Sequence, residues 1–341
     1  MSWPGCVPPP SSTASVIFTT ASSARRRAND AMSERLLFIN YHYIRDPAQY
    51  VHPGIHPLAM TDFAAQVDWL AERYHMATPE EAEGFVGGRA SLPGPSVVLT
   101  FDDGMLDHQR AAREVLGPRG IRSVFFVSSK PLVEHQAVMV HKIHWLRATS
   151  EPAEFHRAFM ALLPAEWRPD EDPEMAAKAA RIYVYDSPED GRLKYLINFV
   201  LPYALMDEIS SGLLAQRDVS EAQFCDDLYM TEGAIKALCQ AGHRIGAHGH
   251  SHAPFTRLGD ALAADIESNI ACLTDIGGER PRWVSYPYGR DWAIPDNASG
   301  FCDRFGFDVG LTLAVGWNQG VLEPFALKRI NTNEVAEVCD A

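Results

Sequence analysis

The stretch LTFDDGMLDH, Leu99 to His108, ends an apolar, β-branched run on two adjacent carboxylates and a glycine. Like charges side by side repel, and aspartate is a poor strand residue. Inside a strand Asp102 and Asp103 would face opposite sides. At the C-terminal end of a strand, with Gly104 free to take an unusual backbone conformation, both can turn toward one cavity. Their repulsion then calls for a positive charge, which a divalent metal bound by one of them would supply. DDG alone fits equally well a pair of carboxylates at the N-terminus of the following helix.

Outward from this point, strand-like and helix-like segments alternate. LLFINYHYI (36–44) reads as a strand, and TDFAAQVDWLAERY places Phe63, Val67, Leu70 and Tyr74 on one helix face. PSVVLTF, RSVFFVS, RIGAHG, RWVSYPY, VGLTLAV and FALKRIN read as further strands. Between them lie helices over LDHQRAAREVL, over TEGAIKALCQAG with a Thr231 cap and Gly242 stop, and over Leu262, Ile266, Ile270 and Leu273. Repeated β-then-α order implies a parallel sheet, and this many units suggests a (β/α) barrel of about seven strands. Helical, charged sequence over 130–230 breaks the rhythm and reads as an insertion over one rim.

Residues 1–33 are rich in Ser, Ala, Pro and Arg without periodicity and are expected to form a disordered tail, so that 34–341 is the barrel. Met32 directly precedes SERLLFINYHY and is an alternative start, with upstream read-through before it. The basic cluster in the tail follows a weak apolar patch instead of preceding a strong one, which argues against an export signal and for a cytoplasmic location. No run has the length of a membrane span. At 341 residues, 46% of them hydrophobic, the chain can bury a large core. A net charge of −14 makes a nucleic-acid backbone or an anionic membrane surface a poor partner. The six cysteines show no CxxC pair and are expected to be reduced, mostly buried thiols.

A second cluster matches the first. RIGAHGHSH puts His248, His250 and His252 after another short apolar strand, and His248 and His252, four apart, can converge on one metal. Asp103 with two imidazoles makes a mixed nitrogen and oxygen site suited to zinc or another first-row divalent ion. His250 is left unassigned.

TFDDG, then HxxxH in GAHGHSH, then YPYG at 286–289, resembles the polysaccharide deacetylase family, the carbohydrate esterases with the nodulation-deacetylase (NodB) homology domain. The likeness runs over about 36–330. It implies a distorted (β/α) barrel that removes an acetyl group from an N-acetylated sugar, glycan or sugar-containing intermediate with a bound divalent metal: zinc first, with cobalt, nickel, manganese or iron as alternatives. Carried over by position, the resemblance makes Asp102 the general base, Asp103, His248 and His252 the metal ligands, and the Tyr288 N–H an oxyanion donor. Family members commonly carry an arginine where this chain has Ser285; Arg329, taken to end a strand, or Arg290 is expected to reach Asp102 instead. No histidine follows His252 to act as the usual acid. In the poly-N-acetylglucosamine deacetylase branch a permuted strand order brings an early histidine into the site, which points to His42 as the proton donor to the leaving amine; a core histidine is the alternative.

Trp317 and Asn318 suit stacking on a sugar ring and bonding its hydroxyls, with core packing an equal alternative for the tryptophan. His141 and His144, at i,i+3 spacing, read as solvated or packed more readily than as ligands, and Asp107 and His108 as an exposed helix face. The competing functional readings are a catalytically inactive carbohydrate-binding relative, and a deformylase or other C–N hydrolase of the same fold.

Overall fold

The structure is a computed structural model that describes residues 34–46, 57–168, 173–184 and 187–339. The expected tail over 1–33 lies outside the described residues. Eight strands are present among the described residues: β1 (Arg35–Tyr41), β2 (His75–Met76), β3 (Pro95–Phe101), β4 (Val124–Val127), β5 (Arg244–Ala247), β6 (Trp283–Ser285), β7 (Val309–Leu311) and β8 (Arg329–Asn331). They pair in the order β7-β6-β5-β4-β3-β1-β8, all parallel, with β2 on the edge of β3. One bridge from Leu311 to Leu327, just before β8, nearly closes the ring into a distorted (β/α) barrel of seven strands.

Both faces of β3 are buried, which is why PSVVLTF is apolar throughout instead of alternating. The Leu37, Ile39, Val97, Leu99 and Phe101 side chains pack with Phe63, Val67 and Leu70 of the helix Met60–Ala71. The opposite residues, Leu36, Phe38 and Val98, pack with Phe126 and Trp283. Alternation along one strand therefore fills two separate clusters.

The helix Glu232–Gln240 starts at Thr231, whose hydroxyl accepts from the Ala234 N–H, and is followed by Gly242 at φ 83°. The five described cysteines are free thiols; Cys225 and Cys302 are buried and the other three half-buried. Among the described residues no helix is long and apolar enough to cross a membrane.

The chain divides into two compact units. The larger contains every strand. The smaller, in its described part, is the helical stretch Val140–Asp218, with helices Pro152–Leu162, Pro173–Ile182, Pro188–Tyr195 and Tyr203–Ala215. Within it the buried ammonium of Lys142 lies 2.9 Å from an Asp207 oxygen and bonds Ser211 Oγ. His141 and His144 stand 6.1 Å apart, ring centre to ring centre.

Two buried histidines give the barrel a pH-sensitive stability. Burial pushes His108 and His243 down to about 4, so both are neutral in the folded chain. Unfolding exposes groups that titrate near 6.5, so the folded state is fully favoured above that pH and loses stability as pH falls toward 4. Each site accounts for up to about 3 kcal/mol over that window. The urea midpoint is therefore expected to drop between pH 7 and pH 5, and His108→Gln to remove part of the drop; a flat midpoint would show that the two rings bind a proton equally well folded and unfolded.

Candidate active site

β3 ends at Phe101, and the chain turns at once: Asp103 has φ 78° and Gly104 φ 73°. The turn is tight, since a Cβ on Gly104 would meet Val127 Cγ1 at 2.8 Å. Left-handed backbone is costly for a residue with a side chain. Five such residues occur among those described, and three are Asp103, His252 and Tyr288. The strained positions thus gather where the sequence placed its chemistry.

Asp102 is buried, and Arg329 grips it in a bidentate pair, Nη1 to Oδ1 and Nη2 to Oδ2, both at 2.8 Å. Ser285 Oγ donates to Oδ2 at 3.0 Å and accepts from Arg329 Nη2 at 2.9 Å. The arginine is itself held by the Thr312 carbonyl and Asn40 Oδ1. Burial pushes the Asp102 carboxyl up, but the charges of Arg329 and His248 outweigh it and hold the group below the usual carboxylate range. Asp102 is therefore ionised. Arg329 opens β8 instead of ending a strand, and Arg290 reaches the Leu313 carbonyl instead.

Asp103, His248 and His252 form the single group of potential metal ligands among the described residues, with donor atoms within 4.8 Å of one another and all three side chains buried. Asp103 Oδ1 lies 3.2 Å from His248 Nε2 and 3.1 Å from His252 Nε2. His248 Nδ1 must donate to the Ser285 carbonyl at 2.7 Å, because a carbonyl only accepts. A neutral His248 then turns its Nε2 lone pair toward a carboxylate oxygen. Such a facing of two acceptors is satisfied by a cation, either a proton on the ring or a metal ion between the groups. The nearby carboxylates indeed raise the affinity of His248 for a proton, although burial acts the other way. One oxygen and two imidazole nitrogens, with the second nitrogen of one ring fixed by a carbonyl, fit a divalent first-row ion.

The loop carrying the histidines is fixed from the helix Leu262–Gly277. Asn269 accepts from the His248 N–H and donates to the Val127 carbonyl, and Asp265 accepts from the N–H groups of His250 and Ser251. These two polar residues, four apart, are buried on the same helix as Leu262, Ile266 and Ile270. Their burial among apolar helix positions was the signal that sequence reading passed over. His250 turns elsewhere, to Glu134 at 2.8 Å and Ser129 at 3.0 Å.

His42 is the first residue after β1, and a charge on it is felt at Asp102. The Tyr288 ring lies 5.3 Å from that of His252 and 5.4 Å from the half-exposed Trp292. Trp317 and Asn318 are not brought to this site. Asn318 exchanges backbone hydrogen bonds with Leu36, and its side chain bonds the Leu36 and Lys328 carbonyls. Leu36 is at the start of β1 whereas the site is at its end, so these residues brace the opposite end of the barrel. Trp317 packs there against Tyr74 and under Arg35.

Asp107 and His108 do not lie on an exposed face. His108 is fully buried, and Asp107 bonds Arg45 and the Ile44 N–H. His108 shares its helical stripe with Ala111, Ala112 and Val115, all buried, so the periodicity carried the correct answer.

The acidic pair and the histidine cluster thus lie together at the C-terminal ends of the parallel strands. The polysaccharide deacetylase family model matches residues 211–308, a segment that includes GAHGHSH and YPYG but not TFDDG. Among solved structures the chain is similar to IcaB from Ammonifex degensii, at 20% identity and TM-score 0.55, covering 91% of this chain and 99% of that one. It is similar also to the Streptococcus pyogenes deacetylase PplD in complex with acetate, at 15% identity and TM-score 0.53, covering 87% and 92%. A third is a de-N-acetylase from Aggregatibacter actinomycetemcomitans, at 14% identity and TM-score 0.51, covering 87% and 94%. At these identities the likeness is one of fold. No curated protein matches the chain by sequence.

Proposed function

We propose that this chain is a metal-dependent hydrolase that removes the acetyl group from an N-acetylated sugar, glycan or sugar-containing intermediate. The observation that carries the reading is the pairing of an ionised, arginine-held Asp102 with the Asp103, His248 and His252 cluster next to it. Those three side chains would hold a divalent ion, zinc by donor chemistry, which when bound supplies Lewis acidity toward a carbonyl and lowers the pKa of water from about 15.7 toward about 7.

Asp102 takes a proton from the attacking water as the new C–O bond forms. Its Oδ2 already accepts from both Arg329 and Ser285, whereas Oδ1 accepts from one guanidinium nitrogen at 2.8 Å, a nitrogen that also reaches Asn40 Oδ1 at 3.3 Å and Thr100 Oγ1 at 3.5 Å. Oδ1 thus has fewer donors, while Oδ2 is the oxygen that lies 4.0 Å from His248 Nε2. The Tyr288 N–H, in its strained left-handed turn, is the oxyanion donor in this scheme. His42 protonates the amine as the C–N bond breaks, leaving acetate and a free amino sugar. Arg329 fulfils toward Asp102 the role of the arginine that Ser285 replaces, which supports turnover over the reading of an inactive carbohydrate-binding relative.

The test is acetate release from N-acetylated glycans, sugar nucleotides and lipid-linked sugars, with protein stripped by chelator and then reloaded with zinc. Release is expected in the loaded protein, lost on stripping and restored on reloading. Metal bound stoichiometrically with no acetate from any member of the panel would overturn the hydrolase in favour of a binding protein.

A further inference from the structure

The turn that presents Asp103 has a cost for the neighbouring strand. β1 and β3 pair in register from Arg35 with Pro95 to Tyr41 with Phe101, and the last bond of this kind runs from the Asp102 N–H to the Tyr41 carbonyl at 3.0 Å. Beyond it β3 departs, because Asp103 and Gly104 adopt left-handed backbone. Residues 42–44 continue without their β3 partner, and buried backbone groups must find another.

The helix Leu106–Ala111 supplies it through side chains. His108 Nε2–H donates to the His42 carbonyl at 2.8 Å, and Asp107 Oδ2 accepts from the Ile44 N–H at 3.2 Å and from Arg45 Nε at 2.6 Å. The His108 ring is wedged against Phe101, its centre 5.3 Å away, and Phe101 directly precedes Asp102. Among the described residues His108 Nδ1 has no hydrogen-bond partner, so the ring offers a single bond, and that bond goes to His42.

We infer that His108, supported by Asp107, is a positioning residue for the proposed reaction: it fixes the His42 backbone, and so the His42 imidazole, opposite Asp102. This rests on the hydrolase reading above. A neutral donor is what the place requires. A lysine or arginine would satisfy the carbonyl but would set a fixed positive charge beside a proton-donating imidazolium and a metal site. Burial keeps the His108 ring uncharged near neutral pH. Base, ligand and acid are thus set by one run of seven residues, Asp102 to His108, with His42 held across the strand gap.

Zinc-loaded wild type, His108→Leu, His108→Gln, His42→Ala and the His42→Ala/His108→Leu double variant test this. His108→Leu is expected to lower kcat by about tenfold or more, within the range for a displaced acid or base, with KM and zinc content unchanged. His108→Gln, which keeps an N–H donor, is expected to recover kcat to within about threefold and stands in should the leucine variant not fold. In the His42→Ala background His108→Leu should cost less than about twofold, since the two act through one group. The imidazole NMR signal of His42, identified by its loss in His42→Ala, should shift in His108→Leu and stay in place in His108→Gln. An equal kcat loss with and without His42, or an unmoved His42 signal, overturns the inference. If wild type releases no acetate while the His42 signal responds as stated, the hydrolase reading has failed and the positioning has not.

Discussion

Arg329→Met is expected to destabilise the chain by about 3–5 kcal/mol, the usual result of stripping one partner from a buried ion pair. The guanidinium makes both short contacts to Asp102, and both groups are almost wholly shielded from water. Without it burial, already the largest single influence on the carboxyl, loses its main opponent, and the group takes up a proton at higher pH. Activity should fall together with stability, and the acidic limb of the rate profile should move upward in pH. Adding Asp102→Asn to Arg329→Met should return part of the lost stability, because no buried charge is left behind. Urea denaturation of the three proteins checks this; an Arg329→Met chain within about 1 kcal/mol of wild type would show that Asp102 is not held as a buried anion.

Asp102→Asn alone is expected to lower kcat for acetate release by about 10²–10⁴-fold, the usual contribution of a positioned general base. Zinc content should not change, because Asp102 is outside the ligand cluster. The amide nitrogen of the new side chain would face either Arg329 or the water it can no longer deprotonate. Steady-state rates with metal analysis on the same preparations separate the two roles of the adjacent carboxylates: Asp103→Ala should lose the zinc, Asp102→Asn should keep it. Activity within tenfold of wild type in Asp102→Asn would remove Asp102 from the role of base.

Legibility in the sequence followed burial. PSVVLTF coincides with β3, Pro95–Phe101, because a strand covered on both faces is apolar at every position. RWVSYPY, VGLTLAV and FALKRIN each yield only three residues of strand, Trp283–Ser285, Val309–Leu311 and Arg329–Asn331. There the apolar run continues into turns, as at Tyr288 and Gly289, both left-handed, and hydropathy does not register a change in backbone direction. The grouping of Asp103, His248 and His252 was legible because two strand ends carried residues that an apolar sheet has no use for. Trp317 and Asn318 were misplaced for a related reason. The segment after β7 returns to the start of β1 before β8 begins, and a list of strands in order does not show which end of the barrel a loop revisits. His108 was misread because a histidine was assigned to the polar face although its spacing matched the apolar one.

The narrow junction between β7 and β8, where one bridge completes the ring, has a consequence for how the molecule can age or adapt. Arg329 lies on the β8 side of that seam and reaches Thr312 after β7, Ser285 at the end of β6 and Asp102 at the end of β3. The guanidinium thus adds side-chain bonds across a seam that backbone bonds from Leu327 to Gly310, Thr312 to Leu327 and Arg329 to Ala314 already cross, and it is also the counterion of the Asp102 carboxylate. A substitution of this one side chain therefore removes a seam contact and the charge partner of Asp102 together.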